Sequence, residues 1–325
     1  MPHAIRIHQH GGPEVLKWEA NDPGTPGPGE ALIRHEAVGL NFIDVYHRTG
    51  LYPLPSLPAV PGLEAAGVVA EIGPGVTEVA VGDRVAYAGV PPGAYAEQRC
   101  IPAHRLVKLP EGIACREAAA MMLQGMTARY LLKGCWPVGP GTTLLIHAAA
   151  GGVGLIVCQW ARYLGATVIG TAGSAAKADL AAAHGCQHPI IYSQEDFVGR
   201  VKEITGGRGV DVVYDSVGQA TFMKSLDCLR PMGMLVSFGQ SSGPIGLLDP
   251  SVLAQKGSLF LTRPTLMTYT ARREDLLKHA LDLFEVVQTG AVKIEVARAY
   301  PLAEASRAHR DLEGRRTTGS SVFTL

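Results

Sequence analysis

The residues from Leu144 to Gly154 read L-L-I-H-A-A-A-G-G-V-G. Three glycines at this spacing can hold a phosphate. Without a Cβ, the backbone at Gly151 and Gly152 can approach a pyrophosphate, and Gly154 lets a following helix pack close to the preceding strand. The N–H groups at the start of that helix, Gly152 and Val153, then face the anion with the positive end of the helix dipole behind them. The turn is A-x-G-x-x-G, because Ala149 stands where the first glycine of G-x-G-x-x-G would be. Such a motif carries weight only in context, between a strand and a helix.

That context is present. Leu144 to His147 is a short apolar run of the kind that forms a buried parallel strand. Helical periodicity starts at Gly152 and runs through Leu155, Ile156, Trp160 and Leu164, and a second apolar strand follows at Ala166 to Ile169. From 126 to 262 strands are expected near 143–147, 166–170, 189–192, 210–214, 233–238 and 258–262. Helices are expected near 152–164, 174–184, 194–204 and 219–229. This alternation predicts a six-stranded parallel sheet covered on both faces, with ligands at the carboxyl ends of its strands. Residues 1–125 are different. Short strand patterns (Ala31 to His35, Ala65 to Ile72, Arg84 to Ala88) alternate with turns rich in glycine and proline. A helix is expected from Ala114 to Leu123, and a second helical stretch from Thr127 to Leu132. After Arg263 come a long helix, Arg273 to Val287, and two late strands, Glu295 to Ala299 and Ser321 to Phe323. This last part most simply rejoins the first module. The expected domains are therefore 1–125 plus 263–325, with 126–262 inserted as a nucleotide-binding domain.

Composition narrows the function. With 325 residues, 47% hydrophobic and 18% charged, the chain can build a sizeable core, and its formal net charge is zero. Nothing in that balance draws it to nucleic acid or to an anionic membrane. The late basic residues Arg307, Arg310, Arg315 and Arg316 are interleaved with Glu304, Asp311 and Glu313, as on a solvated helical face. Six scattered cysteines without C-x-x-C suit reduced thiols, a cytoplasmic setting and no structural zinc. No secretory signal opens the chain. The stretch from Gly134 to Ala161 lacks Asp, Glu, Lys and Arg, but its glycines and two prolines fit strand, turn and helix better than a membrane span.

The dinucleotide can be argued from the end of the second strand. An NAD site places Asp or Glu there to accept from the ribose 2′-hydroxyl. Here the residues are Gly170-Thr171-Ala172-Gly173-Ser174, with no acid before Asp179. Ser174 can cap the next helix, Lys177 lies one turn into it, and Tyr192 can cover the same pocket. This pattern favours the 2′-phosphate of NADPH.

Five segments together carry a family resemblance: Asn41 to Pro53 (N-F-I-D-V-Y-H-R-T-G-L-Y-P), Pro61 to Val69 (P-G-L-E-A-A-G-V-V), Val81 to Val85, His147 to Gly154 and Val213 to Gly218. With these the chain resembles, end to end, the NADPH-dependent quinone oxidoreductases, the ζ-crystallin-like branch of the medium-chain dehydrogenase/reductases. The resemblance implies a Rossmann-type α/β domain inserted in a β-rich GroES-like catalytic domain. It also implies reduction of a quinone held in the cleft between them. An NADPH-dependent alkenal or enone double-bond reductase is the neighbouring alternative. A non-catalytic NADPH-binding protein, structural or RNA-binding, is the other. Zinc enzymes of the wider superfamily carry ligands in C-x-x-D, in G-H-E and at a further cysteine. The matching positions here are Asn41, Leu63 and Gln124, two amides and an alkyl group, so no metal is expected.

Without a Lewis acid, the negative charge growing on the acceptor oxygen must be met by hydrogen-bond donors. Tyr46, Tyr52 and Asn41 are the expected donors. Asp44 is read as a local structural acceptor. By resemblance, cofactor contacts fall on Phe42, Ile43, Asp44, Val45 and Tyr46; on Thr127 and Tyr130; and on Gly151, Gly152 and Val153. They continue at Gly173, Ser174, Lys177, Tyr192 and Ser216, then at Ser241, Ser242, Gly243 and Pro244, and finally at Arg263, Pro264, Thr265 and Arg315. The apolar sixth strand, Ser258 to Thr262, would be a bare edge in a monomer, so a homodimer paired through it is expected.

Overall fold

The computed structural model describes residues 1–325. The chain divides into two compact units, one of Met1–Met126, Thr270–Gln288 and Ile294–Leu325, the other of Thr127–Tyr269 and Thr289–Lys293. The expected borders at 125/126 and 262/263 therefore lie one and seven residues away, and the second unit also takes back the short turn at 289–293. The first border falls inside a helix.

The first unit opens with β1 (His3–Arg6), β2 (Lys17–Ala20) and the long β3 (Glu30–Leu40), followed by helix α1 (Phe42–Thr49). Then come β4 (Glu64–Ile72), β5 (Arg84–Ala88), β6 (Gln98–Pro102), β7 (Val107–Lys108), α2 (Cys115–Ala118) and α3 (Met122–Tyr130). The expected continuous helix over 114–123 is thus broken at 119–121, and only its last two residues, Met122 and Leu123, belong to α3. The break turns the N-terminus of α3 toward the Glu64 side chain, which accepts the N–H of Leu123 at 2.7 Å.

The second unit contains β8 (Thr143–Ile146), α4 (Gly152–Tyr163), β9 (Thr167–Ala172), α5 (Ala175–Ala183), β10 (His188–Ile191), α6 (Phe197–Ile204), β11 (Val210–Asp215), α7 (Phe222–Asp227), β12 (Leu229–Ser237), α8 (Ser251–Gln255), β13 (Phe260–Thr262) and α9 (Leu266–Tyr269). Its six strands are all parallel, in the order β10-β9-β8-β11-β12-β13. The order reverses at β8, so the glycine-rich turn after β8 lies where open α/β sheets take their ligands. Leu145, Ile169, Val213 and Leu235 from four neighbouring strands fill the core of this unit.

The chain then completes the first unit with α10 (Arg273–Gln288), β14 (Val296–Pro301), α11 (Ala305–Glu313) and β15 (Ser320–Thr324). Its main sheet runs β14-β15-β3-β4-β5-β7, with β6 paired to β3. The strands β15, β3 and β4 are antiparallel neighbours, in registers that pair Leu40 with Ser321 and Val38 with Ala65. One end of the sheet therefore gathers the end of β3 and the starts of β4 and β15. This brings Asn41, Glu64 and Ser320 together from three distant parts of the sequence.

Helix α11 is amphipathic rather than fully solvated as its charges suggested. Ala305, Ala308, His309 and Asp311 are buried, while Arg307 and Arg310 stay in water. Its His309 and Glu313 grip α1 through Arg48, which is only 1% exposed. Both terminal nitrogens of Arg48 donate to the Glu313 carboxylate at 2.8 Å, Nη1 also donates to His309 Nδ1 at 3.1 Å, and Nε donates to the Gly11 carbonyl. Removing Arg48 takes the donor from the buried His309 ring and from the Gly11 carbonyl, and the partner from the partly exposed Glu313 carboxylate. Arg48→Ala is expected to cost about 3 kcal/mol of stability, measured from urea unfolding midpoints, and to loosen α1.

Candidate active site

Helix α1 begins at Asn41, whose backbone is extended and which closes a capping box with Asp44. Asn41 N–H donates to Asp44 Oδ2 at 2.9 Å, and Tyr95 Oη donates to the same oxygen at 2.9 Å. Because Arg48 occupies His309 Nδ1, the proton of that ring sits on Nε2 and points to Tyr95 Oη, 3.1 Å away. Asp44 is thus a buried hydrogen-bond acceptor within the fold. Val45 beside it is buried as well, and Phe42 and Ile43 are half-buried. Two more aromatic rings belong to the same segment. Tyr46 meets Phe42 edge-on at 5.4 Å and Tyr52 edge-on at 5.0 Å, and Tyr52 N–H donates to the Tyr46 carbonyl. Tyr46 lies on α1, and Tyr52 is tied back to it.

The Asn41 side chain enters a second network. Its Nδ2 donates to Glu64 Oε2 at 2.6 Å, and its Oδ1 accepts from Gln124 Nε2 at 3.1 Å. Gln124 Oε1 accepts in turn from Ser320 Oγ at 2.6 Å. Glu64, Tyr95, His309 and Ser320 were given no role by sequence reasoning. Glu64 stands in the quoted G-L-E segment, but its partners Asn41 and Leu123 lie 23 and 59 residues away and leave no local signal. The apolar Leu63 beside it is buried.

Burial dominates the electrostatics here. It raises the Asp44 carboxyl to about 7, against hydrogen bonds from Asn41 and Tyr95 that pull it down. It raises Glu64 to about 8, against the donors Asn41, Leu123 and Met122, and the neighbouring Asp44 charge pushes Glu64 the same way. Asp44 Oδ1 has no partner, which disfavours the ionised form further. Burial also lowers His35 to about 4 and His309 to about 3, so both are neutral.

In the second unit, the start of α4 at Gly151 carries no side-chain cap, which leaves room for an external anion. Gly154 is sterically required, because a Cβ there would overlap the carbonyls of Ala148 and Ala149. Ala149, which stands where the first glycine would be, packs against β9. Its methyl occupies the space that a side chain at Gly170 would need. Ala148 is held at φ +55°, a left-handed conformation in a non-glycine residue. Behind the turn, the buried His147 bridges Thr171 and Ser225, both at 2.9 Å, and Ser225 Oγ donates to Asp215 Oδ2 at 2.9 Å. Asp215 also accepts from Thr221 Oγ1 and from the N–H groups of Val217 and Gly218. This network joins the glycine-rich turn to the turn carrying Ser216.

The next turn is sewn to that one. Ser241 N–H donates to the Ser216 carbonyl, while Ser242 N–H and Oγ both donate to the Val217 carbonyl. Gln219 N–H donates to the Gly243 carbonyl, so the turn from Ser241 to Pro244 is fixed. Arg263, expected as a cofactor contact, places Nη1 on the carbonyls of Ser237 and Gly239, and so clamps this edge before Pro264 and Thr265. At the end of β9, Ser174 caps α5 by accepting from Lys177 N–H, and Lys177 is half-buried. Asp179 lies exposed in that helix. The Tyr192 hydroxyl covers Gly173, where a Cβ would come within 2.8 Å of it. Thr127 and Tyr130 are buried, and Tyr130 stacks on Tyr269 at 4.7 Å. Arg315 is exposed at φ +56°, and its neighbour Arg316 pairs with Asp311.

A doubly wound sheet with this turn, joined to an antiparallel β unit, defines a dinucleotide-dependent dehydrogenase or reductase. A zinc-binding dehydrogenase model matches residues 152–285, and an alcohol dehydrogenase GroES-like domain model matches residues 27–111. The chain is 50% identical to the quinone oxidoreductase of Pseudomonas aeruginosa over 99% of both chains. It is 48% identical to a 2-haloacrylate reductase of a Burkholderia species over 98% of both. The fold matches the crystal structure of Escherichia coli quinone oxidoreductase complexed with NADPH at TM-score 0.98 and 48% identity, over 99% of this chain and 100% of that one. The chain belongs to the quinone oxidoreductase family of the medium-chain dehydrogenase/reductases. Zinc, implied by the name of one matching model, does not fit its residues. Asn41 and Gln124 spend their amides on each other, on Glu64 and on Ser320, and Leu63 has no donor atom. No three His, Cys, Asp or Glu side chains converge as ligands elsewhere.

The raised carboxyls make stability depend on pH. Asp44 and Glu64 hold protons in the folded chain that the unfolded chain has released above about pH 4.5. Their contribution is present at low pH and is lost as pH rises through about 7 and 8. The lowered histidines act oppositely, favouring the fold above pH 6.5 and losing that contribution as pH falls toward 4 and 3. Above pH 6.5 the carboxyls decide. Unfolding free energy is expected to fall from pH 6.5 to 8.5, by about 1.4 kcal/mol per pH unit for each carboxyl protonated only in the folded chain. Glu64→Gln should flatten that fall in urea unfolding series.

Proposed function

We propose that this protein is an NADPH-dependent quinone reductase that works without zinc. The observation that carries the reading is its likeness, over the whole chain, to a quinone oxidoreductase crystallised with NADPH. The residues fit the dinucleotide. The turn Gly151, Gly152 and Val153 would take the pyrophosphate, and Ser174 and Lys177, with no acid before Asp179, would take the 2′-phosphate under Tyr192. Ser216, the turn from Ser241 to Pro244, and the clamp at Arg263 would border the nicotinamide end. Bound there, the reduced nicotinamide supplies a hydride. The chain's own part is to place the acceptor and to stabilise charge on its oxygen, through hydroxyls of Tyr46 and Tyr52 and the amide of Asn41.

A second reading has its own support. The 48% identity to a 2-haloacrylate reductase favours acceptors whose carbon–carbon double bond is activated by a neighbouring carbonyl group. Fold and cofactor are common to both readings, and the shape of the acceptor pocket separates them.

Two further assignments belong to this proposal. Phe260 and Leu261 on the edge strand β13 are 53% and 37% exposed, and pairing that edge with its symmetry mate in a homodimer would cover it. Six free cysteines, four of them buried, suit the reducing cytoplasm, and no helix is long and apolar enough to cross a membrane.

NADPH oxidation is expected with a benzoquinone, a naphthoquinone or both, unchanged by a chelator. Lys177→Ala should raise KM for NADPH about tenfold and leave NADH little affected, because the lost charge faces only the 2′-phosphate. Turnover confined to an alkenal or haloacrylate would move the protein to the second reading. NADPH binding without turnover on any acceptor would make it a non-catalytic binder. Light scattering at micromolar concentration is expected to return twice the chain mass, and the single-chain mass would refute the dimer.

A further inference from the structure

We propose that Glu64 is a positioning residue for acceptor reduction: it orients the Asn41 carboxamide so that one Nδ2–H is left to meet the acceptor oxygen. The inference rests on the reading above that Asn41 serves the acceptor. An asparagine amide has two donor hydrogens and one acceptor oxygen. Glu64 Oε2 takes one hydrogen at 2.6 Å, and Gln124 Nε2 occupies the oxygen at 3.1 Å. Ser320 Oγ sits on Gln124 Oε1 at 2.6 Å and keeps that amide from turning. Donors therefore run in one direction, from Ser320 to Gln124 to Asn41 to Glu64. Reversing the Asn41 amide would break both of its side-chain bonds and set its NH2 group against that of Gln124.

Glu64 is suited to anchor this chain because it cannot move. Its other oxygen accepts Leu123 N–H at 2.7 Å, at the start of α3. Its carboxyl also lies against Gly39, where any Cβ would overlap it. Strand β3 thus has a glycine opposite the carboxyl and the amide one residue past its own end. Glu64 is 0% exposed, so it touches no acceptor and acts only through Asn41. An acid oxygen can accept from Asn41 in either protonation state. The consequence is a fixed N–H dipole that needs no reorientation while charge develops on the acceptor. A freely rotating amide would offer its oxygen as often as its N–H.

The test is a double-mutant cycle on the full-length protein with NADPH and 1,4-benzoquinone, using Glu64→Gln, Asn41→Ala and the two together. Glutamine at 64 has a single oxygen for two donors, so it cannot satisfy both Leu123 and Asn41. Thermal melting and NADPH fluorescence confirm that each variant is folded and binds cofactor. Glu64→Gln is expected to lower kcat about tenfold with KM for NADPH unchanged. On the Asn41→Ala background the same change should lower kcat by less than about twofold, because the group it orients is gone. Gln124→Leu, which leaves the Glu64 contact with α3 intact, should lower kcat in the same direction and serves if Glu64→Gln does not fold. Equal losses on both backgrounds would mark Glu64 as structural and overturn the proposal, as would wild-type kcat in both Glu64→Gln and Gln124→Leu. A wild-type protein inert toward every acceptor would instead remove the reading on which the proposal stands. An additive cycle in an active enzyme removes the proposal alone.

Discussion

Two helices of the first unit begin inside the protein, where water cannot satisfy their leading N–H groups, and a carboxyl must do so at each. Asp44 serves α1 and Glu64 serves α3. A buried helix start without an acceptor is costly, and a buried carboxyl without donors is costlier. Bringing the two together offsets both costs, and Asn41 is where they meet. Its backbone N–H goes to Asp44 and its side chain goes to Glu64. The amide is therefore fixed by the same contacts that let the fold close. The raised carboxyls show what burial still costs after those contacts are made.

The second unit meets a backbone problem of the opposite kind. Helix α4 starts with its N–H groups open, an arrangement that suits a charged ligand. No side chain caps it, and a glycine brings it against the preceding turn. What makes such a turn rigid lies behind it, in the buried chain from Thr171 through His147 and Ser225 to Asp215. Each side chain in it is hydrogen-bonded to the next. Fully satisfied networks of this kind hold loops in one arrangement.

Much of this architecture could be read from the sequence, and the limits of that reading follow from what a sequence displays. Parallel strands buried on both faces appear as apolar runs, so the six strands of the second unit were legible to within a few residues, apart from the longer start of β12. The turn from Gly151 to Gly154 was legible from its glycine spacing between a strand and a helix, and steric need is plain at Gly154. Helix α1 was not, although N-x-x-D is a capping signal, because eight residues give periodicity too little length. The break before α3 was invisible because its cause, Glu64, lies some 59 residues earlier. The Asn41 network depends on strand register, which joins residues 23, 83 and 196 positions apart and leaves no pattern in the chain itself.

The replacement of metal ligands by amides has a chemical consequence for the choice of acceptor. A Lewis acid can draw charge onto the oxygen of an ordinary ketone, whose reduced anion is poorly stabilised on its own. Neutral N–H and O–H donors stabilise that charge less. They suffice where the acceptor spreads the charge itself, as a quinone does over its ring or a conjugated carbonyl over its double bond. Losing the metal therefore narrows the acceptors by electronic character more than by shape. On the proposed reading the site would then depend on holding its few donors still, and a buried carboxyl–amide chain is one means of doing so without a metal to organise them.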